Sequence, residues 1–510
     1  MRLLLTTAVK INLLSANLWS TLTAVSSVAL SFLTAGLAVK LLPPADAGLV
    51  LFAVSFVSMV EAVGGLGIRE AALRSLSALF IRNEYDQANV VFATSFFLVA
   101  ILYGVVFIVG QLLGPWLATM LSYSDPQTGS LYLSLMLFVL LIQQLASMLT
   151  MTFQASHLYK IGSLHSIVMN GITSVGAFLT LTLSHSMIAL GIFRSVTLVL
   201  FLVYLLLDVF KLRPCRLVGT FSISITLEMI RYGRSIVGTK LLALGVNGLD
   251  RIFFVSAFGL VALPLYALPR RMFEMTHRLF CQQSAYLFPV MSSGGPLVSF
   301  RCFSKVRWEY SMLAAFVYTG IAALGPLLLS FLVDVEFAVS AEPFVFLFCI
   351  VGFIQSYELV LMPYALATGR PNVSFWAKLA ASGCVVIPMC LFSRYEPNIV
   401  LFSLAQLGVC ASPMVLVFGL FGVRRARGML LDMLVSPCGA FFISMCLMFC
   451  FCASFELVAA AIYKLLVVLS LLAFFVVYEL LFIRRDSAVL RMEQLRSWLG
   501  ARFNGGRQAI

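Results

Sequence analysis

Charge is what this sequence has least of: only 11% of its 510 residues are Asp, Glu, Lys or Arg, while 61% are hydrophobic. A soluble globular domain is roughly a quarter charged, so this chain cannot cover itself with a hydrated surface. Low polarity equally excludes a disordered chain, which combines weak hydrophobicity with high charge. Cysteine is absent from the first 214 residues, and all 11 cysteines fall between Cys215 and Cys452, mostly inside apolar runs. They are expected to be reduced apolar fillers, neither a disulfide framework nor a metal set. Histidine is sparse (His157, His165, His185, His277), and the chain has no HExxH, GxxxxGKS/T or GxSxG and no GxGxxG after a strand. These gaps argue against zinc hydrolysis, ATP binding, serine-hydrolase chemistry and dinucleotide binding. No cofactor, metal or nucleic-acid partner is expected.

What the sequence has in abundance is long apolar runs, and a bilayer core needs about 20 such residues per helix. Apolar windows read against turn and charge punctuation predict an all-α polytopic membrane protein of about 14 transmembrane helices. An amphipathic lead-in covers 1–14, six spans fill 15–209, and a polar linker follows over 210–230. Six more spans occupy 231–421, the thirteenth and fourteenth lie within 432–482, and a basic amphipathic tail covers 484–510. Lys and Arg collect in cytoplasmic loops, which tests the map independently. With both termini cytoplasmic, 24 of the 34 Lys and Arg fall on the inner side and three (Lys40, Arg251, Arg394) on the outer. The tail sets Val489, Met492, Leu495, Trp498, Leu499 and Phe503 on one helical face beside Arg491, Arg496 and Arg502, a pattern suited to anionic headgroups. Membrane lipids are therefore expected partners.

Ionisable groups inside spans are costly and usually face a bundle interior or a wet cavity. Seven cations (Arg194, Lys240, Arg270, Arg271, Arg278, Lys378, Lys464) and four acids (Glu61, Glu274, Glu358, Glu479) fall there. In the eighth span, 260–285, Arg270, Glu274 and Arg278 recur at i, i+4 and i+8; in the seventh, 231–256, Lys240, Asn247 and Arg251 also share a face. Two consecutive polar stripes predict one shared cationic cavity, with Arg270 and Arg271 near mid-bilayer. Lys378 and Lys464 lie near span ends, where snorkelling explains them. Glu61, Glu274 and Glu358 are the candidates for ion coupling, because a buried carboxylate responds strongly to protons and neighbouring cations. Guanidinium groups match phosphate and carboxylate oxygens, so the expected ligand is anionic. A helix-packing role for these carboxylates stays equally open.

Two turns look alike. Lys40, Leu42, Pro43, Asp46, Gly48 and Gly67 mark the first, and Asp250, Gly259, Tyr266 and Pro289 the second. With Phe153, Gln154, Ala155, Ser156 and Tyr159 ending the fourth span, they resemble the polysaccharide-exporter branch of the multidrug/oligosaccharidyl-lipid/polysaccharide (MOP) transporter superfamily. That branch includes O-antigen and capsule flippases of surface-polysaccharide and lipopolysaccharide assembly. The resemblance implies two parallel six-helix lobes plus two C-terminal helices, and no enzymatic activity. It implies translocation of an undecaprenyl-diphosphate-linked oligosaccharide across a bacterial inner membrane by alternating access. A polysaccharide polymerase and chain-length proteins would be further partners. Two other readings stay open: a cation-coupled multidrug exporter of the same fold, and a membrane glycan polymerase or ligase.

Overall fold

The computed structural model describes residues 23, 25–156, 158–212, 220–284, 287, 291, 295–394 and 398–433. The lead-in 1–14, the thirteenth and fourteenth spans and the basic tail lie outside the described residues, as does Lys464. Within them the chain is helical throughout, and ten stretches are long and apolar enough to cross a membrane. A shorter apolar helix, α1 (Val25–Leu41), precedes them. In the first half follow α2 (Pro44–Gly64), α3 (Ile68–Ile81), α4 (Tyr85–Met120), α5 (Pro126–Ala155), α6 (Tyr159–Ser184) and α7 (Met187–Leu212). The second half holds α8 (Ile223–Asn247), α9 (Leu249–Ser284), α10 (Gly295–Leu332), α11 (Val335–Ala367) and α12 (Pro371–Arg394). It closes with α13 (Ile399–Leu404), a 3₁₀ turn (Ala405–Cys410) and α14 (Ala411–Met433).

Local chemistry sets the breaks. Pro43 is extended at φ −52° and ψ 146°, and Pro44 occupies the first helical position of α2, where its missing N–H costs nothing. Asp46 in that first turn suits the positive end of the helix dipole and accepts from Tyr123 Oη at 2.5 Å. Asp125 caps α5, accepting from the backbone N–H of Gln127 and Thr128. These bonds, led by that from the Thr128 hydroxyl, hold its carboxyl below the usual range. The connection between α4 and α5 is short, 121–125, because α4 runs on through Pro115. Between α2 and α4 the chain forms α3, which carries Arg69, Glu70 and Arg74. The linker is shorter than 210–230, since α7 reaches Leu212 and α8 starts at Ile223.

α9 is a hairpin, not one rod. At Gly259 the backbone takes φ 79° and ψ 172°, a conformation open to glycine and strained for other residues. Asp250 and Arg270 would lie about 30 Å apart along a straight helix. They meet at 2.9 Å, so the arms 249–258 and 260–284 run antiparallel. The turn expected between the seventh and eighth spans is thus where the sequence placed it.

The first half packs around α5, which touches α2, α3, α4, α6 and α7; the second packs around α11, against α9, α10, α12 and α14. α2 joins the halves by lying along α8 and α9. Without water to drive burial, membrane helices associate through close backbone packing at small residues. A Cβ on Gly48 would sit 2.0 Å from the Leu260 carbonyl oxygen, and one on Gly233 2.0 Å from that of Leu66. We predict that Gly48→Ala lowers the unfolding midpoint of the detergent-solubilised protein, corresponding to about 1–3 kcal/mol of overpacking. Gly104→Ala, where nothing lies within 4 Å of the added carbon, should leave the midpoint unchanged.

Candidate functional site

A cavity of about 370 Å³ opens between the first half and the α9 hairpin. α1 contributes Ser27, Ser31 and Thr34, and α2 contributes Ser55, Ser58 and Glu61. Gln143 of α5, Asn170, Thr173 and Ser174 of α6, and Arg194 of α7 continue the wall. The hairpin closes it with Arg251 from its first arm and Arg271, Glu274 and Arg278 from its second. Apolar side chains such as Leu51, Met136, Val139 and Leu198 fill the rest, and no aromatic side chain lines it among the described residues.

Four arginines face two glutamates here, leaving an excess of two positive charges. Arg251 donates to Ser55 Oγ and, at 2.6 Å, to Glu274 Oε1. Arg271 donates to Ser31 Oγ at 2.6 Å. Arg194 and Arg278 have no hydrogen-bond or ion-pair partner among the described residues. Glu61 accepts from Gln144 Nε2 at 2.9 Å, while Tyr103 Oη holds its backbone carbonyl at 3.1 Å. The cavity therefore presents unspent guanidinium donors, groups whose hydrogen bonds to an anion are charge-assisted.

The expected stripes divide differently from the sequence reading. Arg270 does not line the cavity: its side chain is 1% exposed and turned into the second half. Its Nη1 pairs with Asp250 Oδ2 at 2.9 Å and its Nε with Glu274 Oε1 at 3.2 Å. Tyr266 Oη donates to Asp250 at 2.6 Å and accepts from Gln406 Nε2 at 2.9 Å, and the guanidinium carbon lies 5.7 Å from the Phe348 ring centroid. A charge at this depth persists only when paired and hydrogen-bonded, which explains why Arg270 is withdrawn from the ligand space. Lys240 also leaves the expected cavity, because α3 brings Glu70 within 2.9 Å of its Nζ. Burial pushes the Glu70 carboxyl up, and the Lys240 bond and charge outweigh it, leaving it below its ordinary value. Glu358 is buried against Lys378 and away from the cavity, so Lys378 is an ion-pair partner and not a snorkelling residue. The side chain of Asn247 lies outside the described residues.

Arg251 lines the cavity, as its face on the seventh span predicted, although the count of cations had put it on the outer side. Eight residues before the Gly259 turn, it lies about 12 Å down the arm, level with Arg270 and Glu274. Counting in both directions from that turn would have placed it. The hydroxyl lining was missed, although Ser27, Ser31 and Thr34 follow i, i+4 and i+7, and Asn170, Thr173 and Ser174 follow i, i+3 and i+4. Among the described residues no cluster of His, Cys, Asp and Glu could hold a metal ion.

Arg270 and Arg271 should respond oppositely to truncation. Arg270→Ala leaves Asp250 and Glu274 uncompensated and is expected to cost about 3–5 kcal/mol of stability, read as lost folded yield and a lower unfolding midpoint. Arg271→Ala removes a cavity-facing donor and should leave the midpoint within about 0.5 kcal/mol of the parent.

Comparison with known proteins now bears on this geometry. Residues 37–294 match the family model described as polysaccharide biosynthesis protein. No curated protein matches the chain by sequence. Among solved structures, the lipid II flippase MurJ in an inward closed conformation superposes with a TM-score of 0.69 at 12% identity, over 91% of this chain and 99% of that one. An inward-facing multidrug resistance MATE family transporter of the MOP superfamily gives 0.65 at 14% identity, over 80% and 95%. A MOP superfamily transporter from Pyrococcus furiosus gives 0.54 at 13% identity, over 81% and 96%. At these identities the likeness is one of fold. The matched family spans half the chain, and the protein belongs to that polysaccharide biosynthesis protein family, with a fold like that of MOP superfamily transporters.

Proposed function

We propose that this protein is a flippase that carries an undecaprenyl-diphosphate-linked oligosaccharide, a surface-polysaccharide repeat unit, across the bacterial inner membrane. The diphosphate is held by Arg194, Arg271 and Arg278, while Arg251 is kept in place by Ser55 and Glu274. The observation that carries this reading is the cavity's excess of two positive charges, with two arginines that have no hydrogen-bond or ion-pair partner among the described residues. A polyprenyl tail stays in the bilayer while the headgroup enters the cavity, and the two halves rock about the α2–α9 contact to expose it on either side. Both termini face the cytoplasm in this account, as the distribution of Lys and Arg favours.

The multidrug alternative fares worse on chemistry. Cationic aromatic compounds bind to ring faces and carboxylates, and this cavity has no aromatic lining among the described residues and a repulsive net charge. Glycan polymerisation needs an acid or base poised at a sugar acceptor. Glu274 is bound by Arg251 and Arg270, and Glu61 by Gln144. The family's role in polysaccharide biosynthesis is met by moving the precursor.

In vesicles containing the purified full chain, a fluorescent polyprenyl-diphosphate sugar should become accessible on the opposite leaflet. Arg271→Ala and Arg278→Ala should each slow this about tenfold or more, since a charge-assisted bond to phosphate contributes roughly 1.5–3 kcal/mol. Unchanged rates in both variants, or export of a cationic dye in place of the lipid, would refute the proposal.

A further inference from the structure

The cavity lining carries two chemically distinct sets of side chains. α7 and α9 supply the arginines; α1, α2, α5 and α6 supply uncharged hydroxyl and carboxamide groups beside Glu61, and the two sets meet where Arg251 bonds Ser55 and Arg271 bonds Ser31. Several of those hydroxyls are already engaged as donors. Thr34 donates to the Leu30 carbonyl, Ser55 to Leu51, Ser58 to Val54 and Thr173 to Met169. The carboxamides of Gln143 and Asn170 are different: both line the cavity, and neither has a hydrogen-bond partner among the described residues. A carboxamide offers an acceptor and two donors at once, which matches neighbouring hydroxyls that each donate and accept. Among the described residues no aromatic ring lines the cavity for a sugar to stack on, so the recognition these residues offer is through polar groups.

Charge balance narrows the ligand further. A diphosphate diester carries about two negative charges, one on each phosphate, which is the cavity's own positive excess. A sugar bearing a carboxylate would add an anion with no cation to meet it, among neutral dipoles. Desolvating that charge without a partner is costly.

Building on the lipid-anion reading above, we infer that Gln143 and Asn170 form a sugar subsite that selects an uncharged sugar in the position attached to the diphosphate. These two residues determine specificity; the arginines supply general affinity. A site that hydrogen-bonds substrate hydroxyls rejects ligands that leave its polar groups unpaired, so discrimination comes from these carboxamides.

The experiment compares three lipids of one polyprenyl length, binding to the full chain in lipid nanodiscs. One is the bare diphosphate, one carries a neutral hexose, and one carries the corresponding hexuronic acid. The neutral hexose should bind tightest, with the hexuronate weaker by about tenfold. Asn170→Leu and Gln143→Leu should each weaken the neutral-hexose lipid about tenfold while leaving the bare diphosphate unchanged, which also shows that the variants fold. Equal binding of hexose, hexuronate and bare lipid would overturn the subsite. So would variants that lose bare-diphosphate affinity as much as hexose affinity, or that lose neither. Failure of the parent protein to bind the bare diphosphate would overturn the lipid-anion reading itself, and the subsite with it.

Discussion

The constraint on which this structure depends is the cost of a charge held in a medium that cannot solvate it. Arg270 meets it with two carboxylates and a tyrosine hydroxyl, drawn from both arms of the α9 hairpin. That cluster does more than neutralise a cation. It fixes the arms side by side, so that Glu274, shared between Arg270 and Arg251, sets the position of a guanidinium in the cavity wall. The same logic appears twice more, in Lys378 with Glu358 and in Lys240 with Glu70. Each removes a cation from the ligand space by giving it a protein partner.

The cavity arginines are the exceptions. Among the described residues Arg194 and Arg278 have no hydrogen-bond or ion-pair partner, and Arg271 donates to the neutral Ser31 hydroxyl. In the proposed function a ligand completes their shell, as is usual for ionisable groups at membrane depth. The paired cluster and the open arginines lie on one hairpin and are separated by single steps of helix rotation. Adjacent residues thus differ in surroundings, with Arg270 paired inside the protein and Arg271 lining the cavity, where the proposed function gives it the ligand.

How much of this was legible in the sequence follows from what local pattern encodes. Pro43 and Gly259 announced the turns because proline and glycine restrict or free the backbone wherever they stand. Apolar run length likewise gave the spans and the helical class. Helical spacing gave the faces of α9 but not their neighbours: residues 270 and 271 differ by about 100° of rotation, and only packing decides which direction meets protein. Lys240 was read as a cavity cation because its partner Glu70 sits on α3, a helix 170 residues earlier that spacing along one span cannot reveal. The count of cations misplaced Arg251 because it assigns residues to sides by proximity to a turn, whereas depth depends on the arm's length. The neutral lining went unnoticed because serine and threonine in apolar helices ordinarily satisfy themselves against their own backbone, as most do here.

The central claim is that the diphosphate of a lipid-linked sugar sits among Arg194, Arg271 and Arg278. An electron cryomicroscopy structure of the full chain in nanodiscs with polyprenyl-diphosphate hexose tests it most directly. The account predicts density for both phosphates within hydrogen-bond reach of those guanidinium groups, with Arg270 still paired to Asp250. Phosphate density elsewhere, with the three arginines turned to protein partners, would contradict it.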